Sequence, residues 1–127
     1  MQQQEANISR LNHLIASVRI GTPFELEDTF KVASEIVQPE NQWDIVAWNF
    51  LGMSILHNLY TKGDKVTVED IGFCINDPAS FVSAAQNSPV EAVRKFSISH
   101  GSRSENERSA IVSAAQLALA TYIEKGA

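Results

Sequence analysis

Few side chains in this 127-residue chain are of types that do chemistry unaided, and their spacing decides what they can do. His13, His57 and His100 lie far apart, with no HExxH pattern and no carboxylate spacing suited to a metal. Cys74 is the single cysteine, which rules out an internal disulfide and a multi-cysteine zinc site. It would need a neighbouring base to serve as a nucleophile, and none is marked, so a small core or half-buried residue is expected. Glu25, Glu27 and Asp28 look like paired carboxylates, but a place in a first helical turn explains them through the helix dipole. Ser104, near Glu107 and Arg108, reads as a helix cap and not as a catalytic serine. Neither a GxxxxGK[ST] loop nor a GxGxxG is present. The expectation is a chain without catalysis, cofactor or metal.

Four cations remain as candidates for binding. Arg94 and Lys95 lie close in sequence to Arg103 and Arg108, across a His100-Gly101 stop, and form the one basic cluster of an acidic chain. They can meet DNA phosphates or the acidic tail of a protein cargo. They can also simply offset Glu91, Glu105 and Glu107. A formal charge of −5, from 10 basic and 15 acidic residues, argues against broad non-specific nucleic-acid binding.

These residues must be positioned by a helical scaffold. With 44% hydrophobic and 20% charged residues, the chain has an ordinary globular composition and a length that suits one domain over 1–127. The start, MQQQEAN, lacks the progression of a signal peptide, so a cytoplasmic location is the default expectation. Trp43 to Tyr60, WDIVAWNFLGMSILHNLY, carries apolar residues over an arc too wide for a surface helix. It predicts a central helix at about 43–61, packed on several sides. Asp44, Asn49, His57 and Asn58 interrupt it, so it is no membrane span. Gly52 marks close approach of a neighbouring helix, and His57 is expected to be the most buried histidine, in need of a hydrogen-bond partner.

Around that helix the chain reads as all-α, a compact bundle of six or seven helices. Residues 1–7 are polar and expected to fray, and 8–18 has helical spacing, although Ile15 to Ile20 also allows an extended segment. Thr22-Pro23-Phe24-Glu25 has the form of a capping box with Pro at the first helical position, and Leu26, Phe30, Ala33 and Val37 mark the expected buried face. Asn41 is placed to cap the central helix. Thr67 to Asp70 starts a short helix burying Val68, Ile71 and Phe73, and Asp77-Pro78 starts the next. Ser88-Pro89-Val90-Glu91 opens a helix through about Ser99, with Val90, Val93 and Phe96 inward. A last helix begins at Ser102 or Ser104 and continues to about Glu124, burying Ile111, Ala115, Leu119, Tyr122 and Ile123. Tyr122-Ile123 is still apolar close to the C-terminus, which suggests a piece of something longer.

Several stretches, in order, resemble a known family. Arg10-Leu11-Asn12-His13-Leu14 resembles R-F-N-P-L, and Val18-Arg19-Ile20-Gly21-Thr22 followed by Glu25 resembles IR-x-GT-x-x-E. Glu35-Ile36-Val37-Gln38-Pro39 then Trp43 is similar to x-I-V-D-P…W. Ile55-Leu56-His57-Asn58-Leu59-Tyr60 is similar to ILHxLY. Asn76-Asp77-Pro78 and Ser104-Glu105-Asn106-Glu107-Arg108-Ser109 resemble an SDP helix end and a SERERSS helix start. The order is similar to the all-α domain of TraG/TraD-like coupling ATPases of type IV secretion and bacterial conjugation. That domain is inserted between the Walker motifs of a RecA-like nucleotide-binding domain. His13 departs from the family's Pro, and Gln38 from its Asp. The resemblance covers nearly all of residues 10–124.

The resemblance implies a substrate-recognition domain at the cytosolic mouth of a secretion channel, part of an inner-membrane-anchored hexamer. It implies relaxase or relaxosome, or secreted effector proteins, as partners, with DNA a further candidate. ATP and magnesium would bind the parent's nucleotide-binding domain, outside this chain, and the isolated domain is expected to be monomeric. The alternative is a free-standing helical adaptor or regulator that binds one protein partner.

Overall fold

A computed structural model describes residues 2–126. Seven α-helices follow one another: α1 (Gln2–Ala16), α2 (Glu25–Ile36), α3 (Gln42–Lys62), α4 (Val68–Asn76), α5 (Pro78–Ala85), α6 (Glu91–Gly101) and α7 (Glu105–Lys125), with a 3-10 turn at Gly63–Lys65. No strand occurs among the described residues. The chain is an all-α bundle, and α3 runs through it, touching α2, α4, α6 and α7.

The apolar arc of α3 explains its place. Ala47, Phe50, Leu51, Met53, Ile55, Leu56 and Leu59 are all buried, and each large side chain so placed contributes about 1.5–3 kcal/mol. Buried polar groups on the same helix turn back to its own backbone: Ser54 Oγ donates to the Leu51 carbonyl at 2.7 Å and Asn58 Nδ2 to the Ser54 carbonyl at 2.7 Å. Phe50 anchors an aromatic cluster, with ring centroids 5.4 Å from Phe81, 5.6 Å from Phe96 and 5.4 Å from His100. Edge-to-face contacts of this kind tie α3 to α5 and α6. The first turn of α3 protrudes, leaving Trp43 and Ile45 half exposed.

Gly52 is where α2 comes close. A Cβ built there would lie 2.5 Å from Phe30 Cε1. The Phe30 ring touches both Gly52 and Trp48, its centroid 4.3 Å from the Trp48 ring. Trp48 in turn donates from Nε1 to Ser34 Oγ at 2.9 Å.

Capping signals place most helix starts. Asn41 Oδ1 accepts from the Asp44 amide at 2.9 Å. Thr67 and Asp70 form a reciprocal box at α4, Asp77 caps α5 with Pro78 at its first position, and Ser104 with Glu107 caps α7.

Other expectations are corrected. Of residues 1–7, Met1 lies outside the described residues, and Gln2 onward is helical instead of frayed. Asn7 is the reason: it is buried, accepts from Gln3 Nε2 at 3.0 Å, and donates Nδ2 to the Ile123 carbonyl at 3.0 Å. That bond holds the start of α1 against the end of α7. The Thr22–Glu25 box does not form, and α2 starts at Glu25, so Pro23 stays outside it. Gly21, at φ 75°, turns its own amide to Glu25 Oε1, 2.9 Å away, and so takes the carboxylate that Thr22 would have used. The buried face of α2 is Thr29, Val32, Ala33 and Ile36, with Leu26 at the surface. Thr29 tolerates burial because its hydroxyl returns to the Glu25 carbonyl at 2.7 Å. On α4 the buried set is Val68, Ile71 and Ile75, which share one helical face; Phe73 points the other way and is 64% exposed.

Candidate functional site

One polar node is built from the segment around Gly21 and the end of α3. Arg19 grips Asp28 with Nε at 2.8 Å and Nη2 at 2.9 Å, and its backbone amide donates to the same carboxylate at 3.0 Å. The guanidinium and the amide hold the Asp28 carboxyl at about 2, well below its usual range. Arg19 also stacks over Phe24 at 4.2 Å. Tyr60 reaches from α3 to donate its hydroxyl to Glu25, while the Gly21 amide donates to Glu25 at 2.9 Å and to the Tyr60 oxygen at 3.2 Å. The carboxylate beside it raises the Tyr60 phenol. These groups satisfy one another and lock the α1–α2 connection onto α3.

The four candidate cations fall into two groups. Arg94 donates Nη1 to the Ser88 carbonyl at 2.7 Å, across the turn before α6. Lys95 pairs with Glu91 at 3.1 Å, both well exposed. The second group occupies the α6–α7 corner, beyond the end of α6 at Gly101. There Arg103 lies 3.6 Å from Glu107. Arg108 Nη1 donates to the Arg103 carbonyl and, at 3.5 Å, to the Gly101 carbonyl. All four therefore carry an internal partner close by in sequence, and Lys95 is the most exposed of them.

His100, and not His57, is the most buried histidine, at 4% exposure. Its ring stacks on Phe96 at 5.5 Å and borders a groove of about 660 Å³ between α5, the end of α6 and the start of α7. Burial, and after it the charges of Arg103 and Arg108, lower the pKa of this imidazole. His57 is half buried, lies against Phe81, and leaves Nδ1 without a partner; burial lowers it too. Cys74 is half buried, accepts a 3.2 Å contact from Asn58 Nδ2, and burial raises its thiol pKa. Among the described residues no group of three or more His, Cys, Asp or Glu side chains gathers at metal-binding range.

A second, larger groove of about 900 Å³ runs between α1, α4 and α7, with Phe73 on its edge and Val68, Leu119 and Ile123 in its wall. Asn12 crosses it to accept from the Val68 amide at 2.8 Å. Sequence reasoning missed both grooves. The position of His100 beside Arg103 and Arg108 was the available signal for the first. An aromatic residue off the apolar face of a short helix was the signal for the second.

No protein-family model, curated protein or solved structure matches this chain. The functional reading therefore rests on its own residues and on the motif order described above.

Proposed function

We propose that the chain is the substrate-recognition all-α domain of a TraG/TraD-like coupling ATPase, working in type IV secretion and bacterial conjugation. The observation that carries this reading is the Arg19–Tyr60 node. The IR-x-GT-x-x-E stretch and the ILHxLY stretch are distant in sequence, yet Gly21, Glu25 and Tyr60 meet in one hydrogen-bonded set. Two of the resembling segments are thus parts of a single structural device, which gives a physical reason for them to occur together.

On this reading the domain belongs to the cytoplasmic part of an inner-membrane-anchored protein, and ATP and magnesium act in the parent's nucleotide-binding domain. Among the described residues no helix is long and apolar enough to cross a membrane. The cargo is a relaxase within its relaxosome, or a secreted effector, and DNA phosphate is a further ligand for the cations at α6 and the α6–α7 corner. Arg94, Lys95, Arg103 and Arg108 are the cargo contacts we assign. Isolated, the domain is monomeric, because the parent's ring is held by its nucleotide-binding parts.

The test is a titration of the purified chain with the relaxase encoded beside it, with that relaxase on single-stranded DNA, and with the DNA alone. A salt series from about 50 to about 200 mM separates phosphate contacts, which give a steep slope, from protein contacts. Saturable relaxase binding, weakened by charge reversal of Arg94, Lys95 and Arg103, is expected. Failure to bind relaxase, effector or DNA at low salt would sink the proposal.

A further inference from the structure

The groove beside His100 carries an inference that shares Arg108 with the assigned cargo contacts but is argued from the groove's own geometry. His100 is 4% exposed, with its ring against Phe96 and Phe50. Neither ring nitrogen takes a hydrogen bond from the described residues, and neither is among the sealed, partnerless atoms, which are His57 Nδ1 and Tyr122 Oη. The polar edge of an otherwise dry imidazole thus faces the groove it lines. A buried polar group without a protein partner is costly, so such an edge is suited to a ligand.

Arg108 lines the same groove. Its Nη1 is used on two carbonyls, while Nε and Nη2 make no hydrogen bond among the described residues. A guanidinium fork with two free donors matches a planar carboxylate. Arg103 and Arg108 both act on the imidazole electrostatically and, with burial, favour its neutral form. A neutral imidazole then supplies one N–H and leaves the charge to arginine. Glu105 stands in the same wall and disfavours a dianion more than a monoanion. Ser109 and Ser113 add hydroxyls, and Val82 and Val112 give an apolar floor. About 660 Å³ is an ordinary size for a small-molecule site.

We propose that this groove binds a monoanionic organic carboxylate with a short apolar body, its head on Arg108 and His100 and its body on Val82 and Val112. The head can be a free acid or the C-terminus of a polypeptide.

The test is a titration followed by amide and histidine-ring NMR. Its probes are hexanoate, benzoate, hexanamide, benzamide, phenyl phosphate and N-acetylleucine, the last as a chain-end mimic. Saturable shifts from the carboxylates are expected at His100, Arg108 and Ser109, with the amides and phenyl phosphate binding at least about tenfold more weakly. Ser109 is exposed, so Ser109→Trp fills the groove without touching the core and should abolish the shifts while thermal denaturation stays cooperative. Arg108→Gln should weaken binding about tenfold, the scale of a lost charge-assisted bond. A tighter fit of N-acetylleucine than hexanoate assigns a chain end as the source, and the reverse assigns a free acid. Three results overturn the proposal: no saturable shift with any carboxylate, shifts that survive Ser109→Trp, or amides that bind as well as acids.

Discussion

A methyl group at Gly52 would collide with the Phe30 ring, which is also packed against Trp48. Gly52→Ala gains about 1 kcal/mol of helix propensity, but overpacking costs about 1–3 kcal/mol. The clash should win, so the variant should unfold at lower urea, and pairing it with Phe30→Leu should recover most of the loss. Additive losses in that double-mutant cycle would show that the two residues do not compete for space. Tyr60→Phe tests the node at the same scale. It removes the hydroxyl shared by Gly21 and Glu25 and should cost about 1 kcal/mol in urea unfolding. A neutral result would mean that the node does not hold the α1–α2 connection.

Among elements, the helix starts are locally specified and the faces are not. Ser104 and Glu107 exchange bonds at the start of α7, at 3.2 Å and 3.4 Å. Ser104→Ala should cost about 1 kcal/mol, readable as a lower thermal midpoint, with lost amide protection confined to the first turn of α7. Asn41, Thr67 and Asp77 were legible as caps because the partner lies three residues away. The Thr22–Glu25 box was misleading for an equally local reason. Its carboxylate had a second suitor in Gly21, whose positive φ no spacing rule reveals. On α2 and α4 the apolar residues spread around the helix, and the neighbouring helix chose Val32 over Leu26 and Ile75 over Phe73.

For the whole molecule, pH reports on the histidines. Burial is the leading cause of the lowered pKa at both His57 and His100. The unfolded chain therefore takes up protons near the ordinary 6.5 while the folded chain resists. Stability is full above that value and falls as pH drops through it. The urea midpoint should decline from about pH 7.5 to about pH 5.5; a flat profile would contradict buried neutral rings. The opening of α1 belongs to the same scale, because a 116-residue separation is bridged by Asn7 and the Ile123 carbonyl. Asn7→Leu should free the first turns of α1 to exchange amide hydrogens faster than Leu11 onward. Exchange as slow as in the parent chain would show that the contact is not the anchor.

The order and most starts of the six or seven expected helices followed from sequence, as did a long apolar helix at about 43–61, of which the structure buries the part from Ala47 to Leu59. Caps and periodicity act over three or four residues, so a linear reading contains both partners of each interaction. The tertiary structure decided the rest. It anchored α1 to α7, turned α2 and α4 to their buried faces, and buried His100 more deeply than His57. It also divided the four cations between the start of α6 and the α6–α7 corner. The anchoring, the helix faces and the histidine burial each depend on a side chain or carbonyl from a distant helix, and only packing brings such partners within the few ångströms over which a hydrogen bond or a steric contact acts.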